Sequence, residues 1–250
     1  MSAAQPRPWP VVLSLPHCGL AVPADLAAAW AIGPQEVRAE ADLGTAEIFG
    51  GLPALAVVRA EFSRLVADLN RRPDDDSAGG VIPLRTYPNP EAREIYPPGR
   101  QPDAAARNRR LKACYWPFHN ELQAALRASG VQGLLDCHSM DPASPEDGSP
   151  RPQVCLGDCQ GVTCGNERLL RLQAALAEQG FAVACQKPYA GGHITRHYGR
   201  DLFARGLFAI QVELNKGLFL KKNSLEPDPA RLAEVGRRVA AALAQFCAGI

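Results

Sequence analysis

The sequence predicts an α/β protein with three layers, in which helices cover both faces of a mixed, mostly parallel sheet. Short apolar runs of strand length alternate along the chain with longer segments whose apolar residues recur at helical spacing. Two of the apolar runs end abruptly in a histidine beside a small or turn-forming residue. Open α/β folds hold their ligands at such strand ends, so both histidines are candidate functional residues.

Composition predicts one domain, spanning residues 1–250, with 46% hydrophobic and 21% charged residues and a sizeable core. The net charge of +1 gives no electrostatic reason to expect nucleic acid or an anionic membrane as a partner. Residues 1–10 lack the apolar stretch of a signal peptide, and no segment has enough unbroken apolar residues to cross a bilayer. We therefore expect a cytoplasmic protein, a monomer or small homo-oligomer, with a small-molecule partner.

The eight cysteines predict buried free thiols rather than disulfides, because most of them lie within apolar runs of a chain without a signal peptide. Cys155, Cys159 and Cys164 are close in sequence, but they lack the C-x-x-C spacing and a nearby fourth ligand. A structural zinc site there is disfavoured.

The first half of the chain begins with a predicted buried strand over 11–15. Pro16 cannot extend a central sheet ladder and Gly19 permits a sharp turn, so His17 projects where the chain leaves the sheet. The elements predicted next, in order, are helices over 24–31 and 35–49, strands over 55–59 and 65–69, and a proline-rich loop over 73–102.

The second half opens with an amphipathic helix over 104–128, which Pro117 should kink or split. A strand over 132–136 follows and delivers His138. The remaining predicted elements are strands over 154–156, 181–185 and 207–214, a helix over 166–178, a glycine-rich loop over 187–196, and a closing helix that Asp228 caps.

His17 and His138 occupy equivalent contexts, each with an apolar strand before it and a turn after it. Two imidazoles from two strand ends could share one metal ion, with room for a carboxylate and an open water position, as in catalytic zinc sites. The residues alone leave the carboxylate open among Asp42, Glu40, Glu47 and Asp136.

Glu213 lies in a run that is otherwise apolar enough to be a central strand. An unpaired carboxylate is costly to bury, so this residue needs a partner or lies at an open strand end. A salt bridge to an arginine and a role as general base both fit the pattern.

Arg64, Asn70, Arg71 and Arg72 cluster around one predicted strand, and Arg196 follows the pair of glycines at 191 and 192. Surface arginines are usually solvated, but an amide and a guanidinium after a strand could hold a substrate carboxylate. The glycine pair lacks the Walker context and serves backbone geometry rather than phosphate binding.

Five segments, in order, resemble the N-formylglutamate amidohydrolase (deformylase) family. They cover roughly residues 11 to 220 and read SLPHCG at 14–19 with Pro23, SRLVADLNR at 63–71, DCHSM at 136–140, PYAGG at 188–192 with Ile194 and Thr195, and QVELN at 211–215. The resemblance implies a zinc-exopeptidase-like α/β/α fold. It also implies hydrolysis of N-formyl-L-glutamate to formate and L-glutamate in histidine breakdown.

The resemblance also implies a ligand set and a substrate. One Zn²⁺ would be held by His17, Asp42 and His138, with Glu213 as the base and an N-acyl dicarboxylic amino acid as substrate. Relatives with a carboxypeptidase-type site carry a glutamate where this chain has Leu20, so Asp42 is assigned by its position in the resembling segment. The substrate-binding residues expected on this basis are Arg64, Asn70, Arg71, Gly192, Thr195 and Arg196.

Three alternatives remain at this point. The same machinery could act on another N-acyl amino acid or a small peptide, or the pocket could bind without catalysis. A Cys–His amidase using Cys18 or Cys137 is the third, although neighbours in an extended segment point to opposite faces and pair badly with His17 or His138.

Overall fold

A computed structural model describes residues 8–87 and 92–250. Within them, six strands form one mixed sheet. The strands are β1 Trp9–Leu15, β2 Ala54–Arg59, β3 Gly133–Met140, β4 Val154–Gly157, β5 Val183–Cys185 and β6 Phe208–Asn215. Their order across the sheet is β2-β1-β3-β6-β4-β5.

The four strands β2, β1, β3 and β6 are parallel, whereas β4 runs antiparallel to β6 and β5 follows β4 in parallel. Ser14 of β1 is in register with Asp136 of β3, and His138 of β3 is in register with Glu213 of β6. The carboxyl ends of β1, β3 and β6 therefore meet at one edge of the sheet.

Helices cover both faces, which confirms the three-layer α/β/α fold. They are α1 Ala24–Ala29, α2 Pro34–Glu40, α3 Thr45–Phe49, α4 Ala104–Arg110, α5 Trp116–Leu126, α6 Asn166–Glu178, α7 His193–Ala204 and α8 Pro229–Cys247. One apolar layer joins α3, α6 and α8 to the sheet, and the other joins α5 and α7 to its opposite face. Asp228 caps α8 as expected, since its carboxylate accepts from the amides of Ala230 and Arg231 at 3.0 and 3.2 Å.

The helix predicted over 35–49 is two helices in the structure. It breaks at residues 41–44, where Gly44 adopts a φ of +84° that other residues rarely take. This break carries Asp42 out of helical geometry and toward the end of β1.

The prediction of a strand over 65–69 was wrong, because these residues form turns and irregular backbone. The run is apolar because Leu65 and Val66 pack into one small cluster while Ala67 and Leu69 pack into the α5 layer. Burial of an irregular segment gives the same composition as a buried strand, so the pattern could not separate them.

The predicted interruption near Pro117 is present, as a π-helical turn over Leu111–Tyr115 between α4 and α5. Pro117 itself lies in the first turn of α5, where its missing N–H is tolerated. The segment 73–102 is largely irregular, as predicted, and its residues 88–91 lie outside the described residues. The glycine-rich loop ends at Gly192, because α7 begins at His193.

All eight cysteines are free thiols, as expected, and most are buried. In the part of the chain that the structure describes, no helix is both long and apolar enough to traverse a lipid bilayer.

Candidate active site

A cavity of about 580 Å³ opens at the carboxyl ends of β1, β3 and β6. Its floor holds His17, Asp42, His138 and Glu213, and its walls carry all four arginines that the sequence singled out. The cavity lies where an open α/β sheet positions ligands, so it is the candidate active site.

Local structure brings the first two of these residues together. β1 ends at Leu15 and Pro16 turns the chain, so that His17 projects beyond the sheet edge. The amide of Asp42, in the break between α2 and α3, donates to the His17 carbonyl at 3.0 Å. The Thr45 hydroxyl donates to the Asp42 carbonyl at 2.6 Å and fixes the turn.

The side chains of His17, Asp42 and His138 form one buried cluster. Asp42 Oδ2 lies 3.5 Å from His17 Nδ1 and 2.8 Å from His138 Nδ1, and the two imidazole centroids are 5.0 Å apart. One ligand atom from each residue lies within 4.8 Å of the others, and the residues are 4, 5 and 2% exposed. This donor set, two imidazole nitrogens and a carboxylate, fits a divalent transition metal.

A second carboxylate contacts the far nitrogen of each imidazole. Asp68 Oδ1 lies 2.8 Å from His17 Nε2, and Asp136 Oδ1 lies 3.3 Å from His138 Nε2. A carboxylate that holds a proton on Nε2 leaves Nδ1 free as a ligand, and metal-binding histidines usually have such a partner. Burial alone would lower the pKa of His138, but Asp136 and Asp42 raise it well above its usual value.

The carboxylates of Asp42 and Asp68 stay ionised although both are buried. Burial opposes ionisation of Asp42, yet contacts with His138 and His17 keep the pKa of its carboxyl far below the usual range. Asp68 is held ionised in the same way, chiefly by Arg64 against the effect of burial. The cluster thus offers fixed negative charge that a bound cation would balance.

Glu213 lies beside the cluster and is 8% exposed. The Gln211 amide donates to its Oε1 at 2.9 Å. Burial raises the pKa of Glu213 to about 7, although the nearby His138 acts in the opposite direction. A carboxyl poised near neutrality can both accept and return a proton.

Arg64 and Asn70 are held firmly within the cavity wall. The Arg64 guanidinium forms a two-pronged contact with Asp68 Oδ2, at 3.2 Å from Nε and 2.6 Å from Nη2. Asn70 Oδ1 accepts from the Ile194 amide at 2.8 Å, which leaves its Nδ2 3.3 Å from His138 Nε2. Arg71 is more exposed, and its Nε lies 3.7 Å from Asp68 Oδ2.

Gly192 and Arg196 also line the cavity, whereas Thr195 does not. The Gly192 amide donates to Gln211 Oε1 at 2.6 Å, and a Cβ at this position would lie 2.4 Å from Asn70 Nδ2. Only glycine fits so close to Asn70. Thr195 is fully buried and its hydroxyl donates to Asp136 Oδ2 at 2.9 Å. It therefore contacts the carboxylate that lies beside the outer nitrogen of His138.

The other carboxylate candidates lie outside the cluster. Glu40 is at the cavity rim, where it accepts from the Tyr87 amide at 2.9 Å, and Glu47 is exposed on α3 away from the cavity. Asp136 contacts the outer nitrogen of His138 rather than the atoms that face Asp42. Arg72 is exposed and paired with Asp74.

Sequence reasoning missed the contacts that hold the Asn70–Arg71 segment. Tyr115, at the end of the π-helical turn, donates its hydroxyl to the Arg71 carbonyl at 2.9 Å. His119 Nε2 donates to the Leu69 carbonyl at 2.9 Å, and its Nδ1 contacts the Tyr198 hydroxyl, also at 2.9 Å. Burial lowers the pKa of His119 to about 4, so this clamp is neutral. The helical spacing of residues 104–128 predicts burial and carries no signal of these hydrogen bonds.

Sequence reasoning also assigned no role to Asp68, which lies two residues before Asn70 in the SRLVADLNR segment at 63–71. Its Oδ1 contacts His17 and also accepts from the Asn70 amide at 2.9 Å, so one carboxylate joins the His17–Asp42–His138 cluster to the candidate substrate-binding segment. The signal was a buried aspartate between apolar residues, which needs a partner.

The two cysteines that could have served as nucleophiles are not paired with the histidines. The Cys18 thiol donates to the carbonyls of Leu15 and Ala60 at 3.3 and 3.4 Å, and burial raises its pKa to about 11. Cys137 packs into the apolar layer on the other face of the sheet. Both thiols are therefore poor nucleophiles.

The fold and the site together define a class of protein. An α/β/α sheet that carries a buried His–Asp–His cluster and an adjacent carboxyl of near-neutral pKa, at the floor of a cavity, is typical of hydrolases that activate water.

Comparison with known proteins gives the particular family. The model of the N-formylglutamate amidohydrolase family matches residues 9–220. An N-formylglutamate deformylase of Pseudomonas putida is 31% identical over 225 residues, covering 85% of this chain and 82% of that protein. One of Pseudomonas aeruginosa is 30% identical over 246 residues, covering 92% and 89%. The chain belongs to the N-formylglutamate amidohydrolase family and is an enzyme of the amide-bond hydrolase class.

Solved structures show the same fold. The crystal structure of N-formylglutamate amidohydrolase from Ralstonia eutropha JMP134 superposes with a TM-score of 0.83 at 24% identity, covering 98% of this chain and 94% of that one. A gene product of Agrobacterium tumefaciens superposes with a TM-score of 0.65 at 20% identity, covering 96% and 90%.

Proposed function

We propose that this protein hydrolyses N-formyl-L-glutamate to formate and L-glutamate, using one divalent metal ion, Zn²⁺, held by His17, Asp42 and His138. The observation that carries the proposal is the buried cluster whose three ligand atoms lie within 4.8 Å of one another, in a chain of this family. Membership of the family supports a role in histidine breakdown, and we expect the reaction to run in the cytoplasm.

The residues present fit the metal. Two imidazoles and one carboxylate leave an open coordination position, which separates catalytic zinc sites from closed structural ones. When bound, the ion supplies a Lewis acid and a water of lowered pKa. Asp68 and Asp136 support the set by holding the outer nitrogens of His17 and His138 at 2.8 and 3.3 Å.

Glu213 acts as the general base and then as the general acid. Gln211 engages its Oε1, so we assign to Oε2 the proton that is taken from the attacking water and returned to the leaving nitrogen. A carboxyl with a pKa of about 7 is matched to both steps at neutral pH.

Asn70 and Arg71 hold a carboxylate of the substrate, and Arg64 and Arg196 add positive charge to the same part of the cavity. Gly192 lets the chain pass close to Asn70, and Thr195 acts through Asp136. An N-acyl dicarboxylic amino acid is the substrate class that this positive wall selects.

The test is formate release by the zinc-loaded protein from N-formyl-L-glutamate, compared with acid release from N-acetyl-L-glutamate and with turnover of N-formimino-L-glutamate. We expect formate and glutamate in equal amounts, and the highest kcat/KM for the N-formyl compound. A higher kcat/KM for another acyl group would assign the same machinery to that substrate. Absence of turnover with the whole panel would refute the proposed activity.

A further inference from the structure

Arg151 lies on the segment that joins β3 to β4, close to the end of β6. Its amide donates to the Pro142 carbonyl at 2.9 Å, and its carbonyl accepts from Asn215 Nδ2 at 3.1 Å. Asn215 is two residues beyond Glu213 on the same strand. The backbone of Arg151 is thus fixed on the Glu213 side of the cavity.

The Arg151 guanidinium lines the cavity and stacks on Tyr189, with its Cζ 5.2 Å from the ring centroid. Its Nε is buried and has no hydrogen-bond partner among residues 8–87 and 92–250. Within the same residues, no carboxylate oxygen lies within 4.0 Å of its nitrogens. An arginine in this state has its charge and one buried donor available to an anion.

Three other cations of the cavity wall differ from Arg151 in this respect. Arg64, Arg72 and Lys216 each contact an aspartate of the chain, at 2.6, 2.6 and 3.1 Å. Their charge is balanced by aspartates of the protein itself. Arg151 and Arg196 are therefore the cavity guanidiniums without a carboxylate oxygen within 4.0 Å among residues 8–87 and 92–250, and of the two it is Arg151 that stacks on an aromatic ring.

Arg151 and Asn70 flank the His17–Asp42–His138 cluster from opposite sides. Asn70 is 3.3 Å from His138, on the side of β1 and β3. Tyr189, which supports Arg151, is tied to β4, because the Cys155 thiol donates to its carbonyl at 3.3 Å and Cys155 is in register with Glu213. A molecule that spans the cluster would therefore meet the Asn70 amide and the neighbouring Arg71 at one end and the Arg151 guanidinium at the other.

We propose that Arg151, supported by Tyr189, binds the second carboxylate of the substrate, the one that Asn70 and Arg71 do not hold. This inference rests on the proposed function and adds a specificity-determining residue to it. The buried Nε–H and a neighbouring terminal N–H form the planar fork that matches a carboxylate, and the stacked ring fixes the plane of that fork. A substrate with a neutral amide in place of this carboxylate would leave the guanidinium unpaired.

The experiment compares N-formyl-L-glutamate with its two monoamides, N-formyl-L-glutamine and the α-amide, using zinc-loaded protein. In Arg151→Met, which retains an unbranched apolar chain, we expect kcat/KM for N-formyl-L-glutamate to fall about 100-fold. One monoamide should be hydrolysed as fast as by the unaltered protein, because it lacks the carboxylate that Arg151 binds. Arg151→Lys, which keeps the charge without the fork, should recover part of the loss.

Arg237→Met is the matched control, since Arg237 is an exposed arginine on α8 that pairs with Glu234. Arg237→Met should leave kcat/KM unchanged for N-formyl-L-glutamate and for both monoamides. A fall in kcat/KM of Arg151→Met that is equal for all three compounds, or no fall for any of them, would overturn the assignment. Retained activity on one monoamide shows that the variant is folded.

A binding measurement separates this inference from the proposed reaction. Glutarate carries two carboxylates and butyrate carries one, and neither compound contains an amide. We expect the unaltered zinc-loaded protein to bind glutarate more tightly than butyrate, and Arg151→Met to bind both equally. Should N-formyl-L-glutamate not be hydrolysed while this difference persists, the proposed reaction fails and the role of Arg151 stands. If N-formyl-L-glutamate is hydrolysed and Arg151→Met still prefers glutarate, the role of Arg151 is refuted and the proposed reaction stands.

Discussion

His138 and Glu213 are paired across the neighbouring parallel strands β3 and β6, with their Cα atoms in register. Residues in register on adjacent strands direct their side chains to the same face of the sheet, so the imidazole and the carboxyl lie side by side. A slip of one residue would send Glu213 into the opposite apolar layer. Strand pairing therefore sets the separation between the His17–Asp42–His138 cluster and the proposed base.

Replacing Glu213 with glutamine removes the proton acceptor and keeps the shape of the side chain. We expect kcat to fall by roughly 10³-fold or more, in the upper range for loss of a general base, with unchanged zinc content. Steady-state kinetics and elemental analysis of the same sample measure both quantities. Glu47→Gln, which changes an exposed glutamate on α3, is the matched control and should have no effect. A Glu213→Gln enzyme with normal kcat would remove this residue from the mechanism.

The raised pKa of Glu213 predicts how stability changes with pH in the metal-free protein. Its pKa is about 7 in the fold against an ordinary value of 4.5, so the folded state holds an extra proton between these values. The free energy of unfolding should therefore decrease as pH rises through this window. Glu213→Gln lacks the penalty and should be more stable by up to roughly 3 kcal/mol above pH 7, with no difference below pH 4.5. Urea titrations at several pH values would show it; a difference independent of pH would contradict the assigned burial effect.

Asp136→Asn tests the second carboxylate on the His138 side. An asparagine can no longer stabilise a proton on His138 Nε2 by charge, so zinc affinity should fall by about 10- to 100-fold. Competition with a chelator of known affinity gives the value. Thr195→Val removes only the hydroxyl that contacts Asp136, and a smaller loss is expected. Equal zinc affinity in Asp136→Asn and the unaltered enzyme would exclude a supporting role.

Tyr115→Phe tests the clamp on the candidate substrate-binding segment. The variant loses the hydrogen bond to the Arg71 carbonyl, worth about 1 kcal/mol, and we expect KM to rise about threefold to tenfold while kcat changes little. Tyr96→Phe is the control, because Tyr96 belongs to a separate apolar cluster and its hydroxyl contacts Arg110. A fall in kcat with constant KM would place Tyr115 in the chemical step instead.

The strands that bring His17, His138 and Glu213 to one edge of the sheet could be predicted, because each joins a local apolar run to a polar residue that the run cannot bury unpaired. The turn expected directly after His138 was wrong, because Ser139 and Met140 continue β3. The break that positions Asp42 could not be predicted, because the apolar spacing of residues 35–49 continues across it. Only the turn at Gly44 and the contact of Asp42 with the His17 carbonyl interrupt the helix.

Residues far apart in sequence account for the rest of the site. Arg151 follows a proline-rich segment without periodicity, and its significance arises from the nearby Tyr189 and from the absence of an acidic partner among the described residues. His119 and Tyr115 have the spacing of ordinary core residues. Their hydrogen bonds to the segment around Asn70 depend on how α5 packs against the sheet, which no local pattern encodes.

Zinc stoichiometry, measured together with formate release, is the sharpest test of the proposed His17–Asp42–His138 site. We expect one zinc ion per chain in the purified enzyme, loss of formate release on chelation, and recovery on addition of one equivalent of Zn²⁺. His17→Ala and His138→Ala should each lose both the metal and the activity. Formate release that survives complete removal of metal, or full zinc content in both histidine variants, would contradict it.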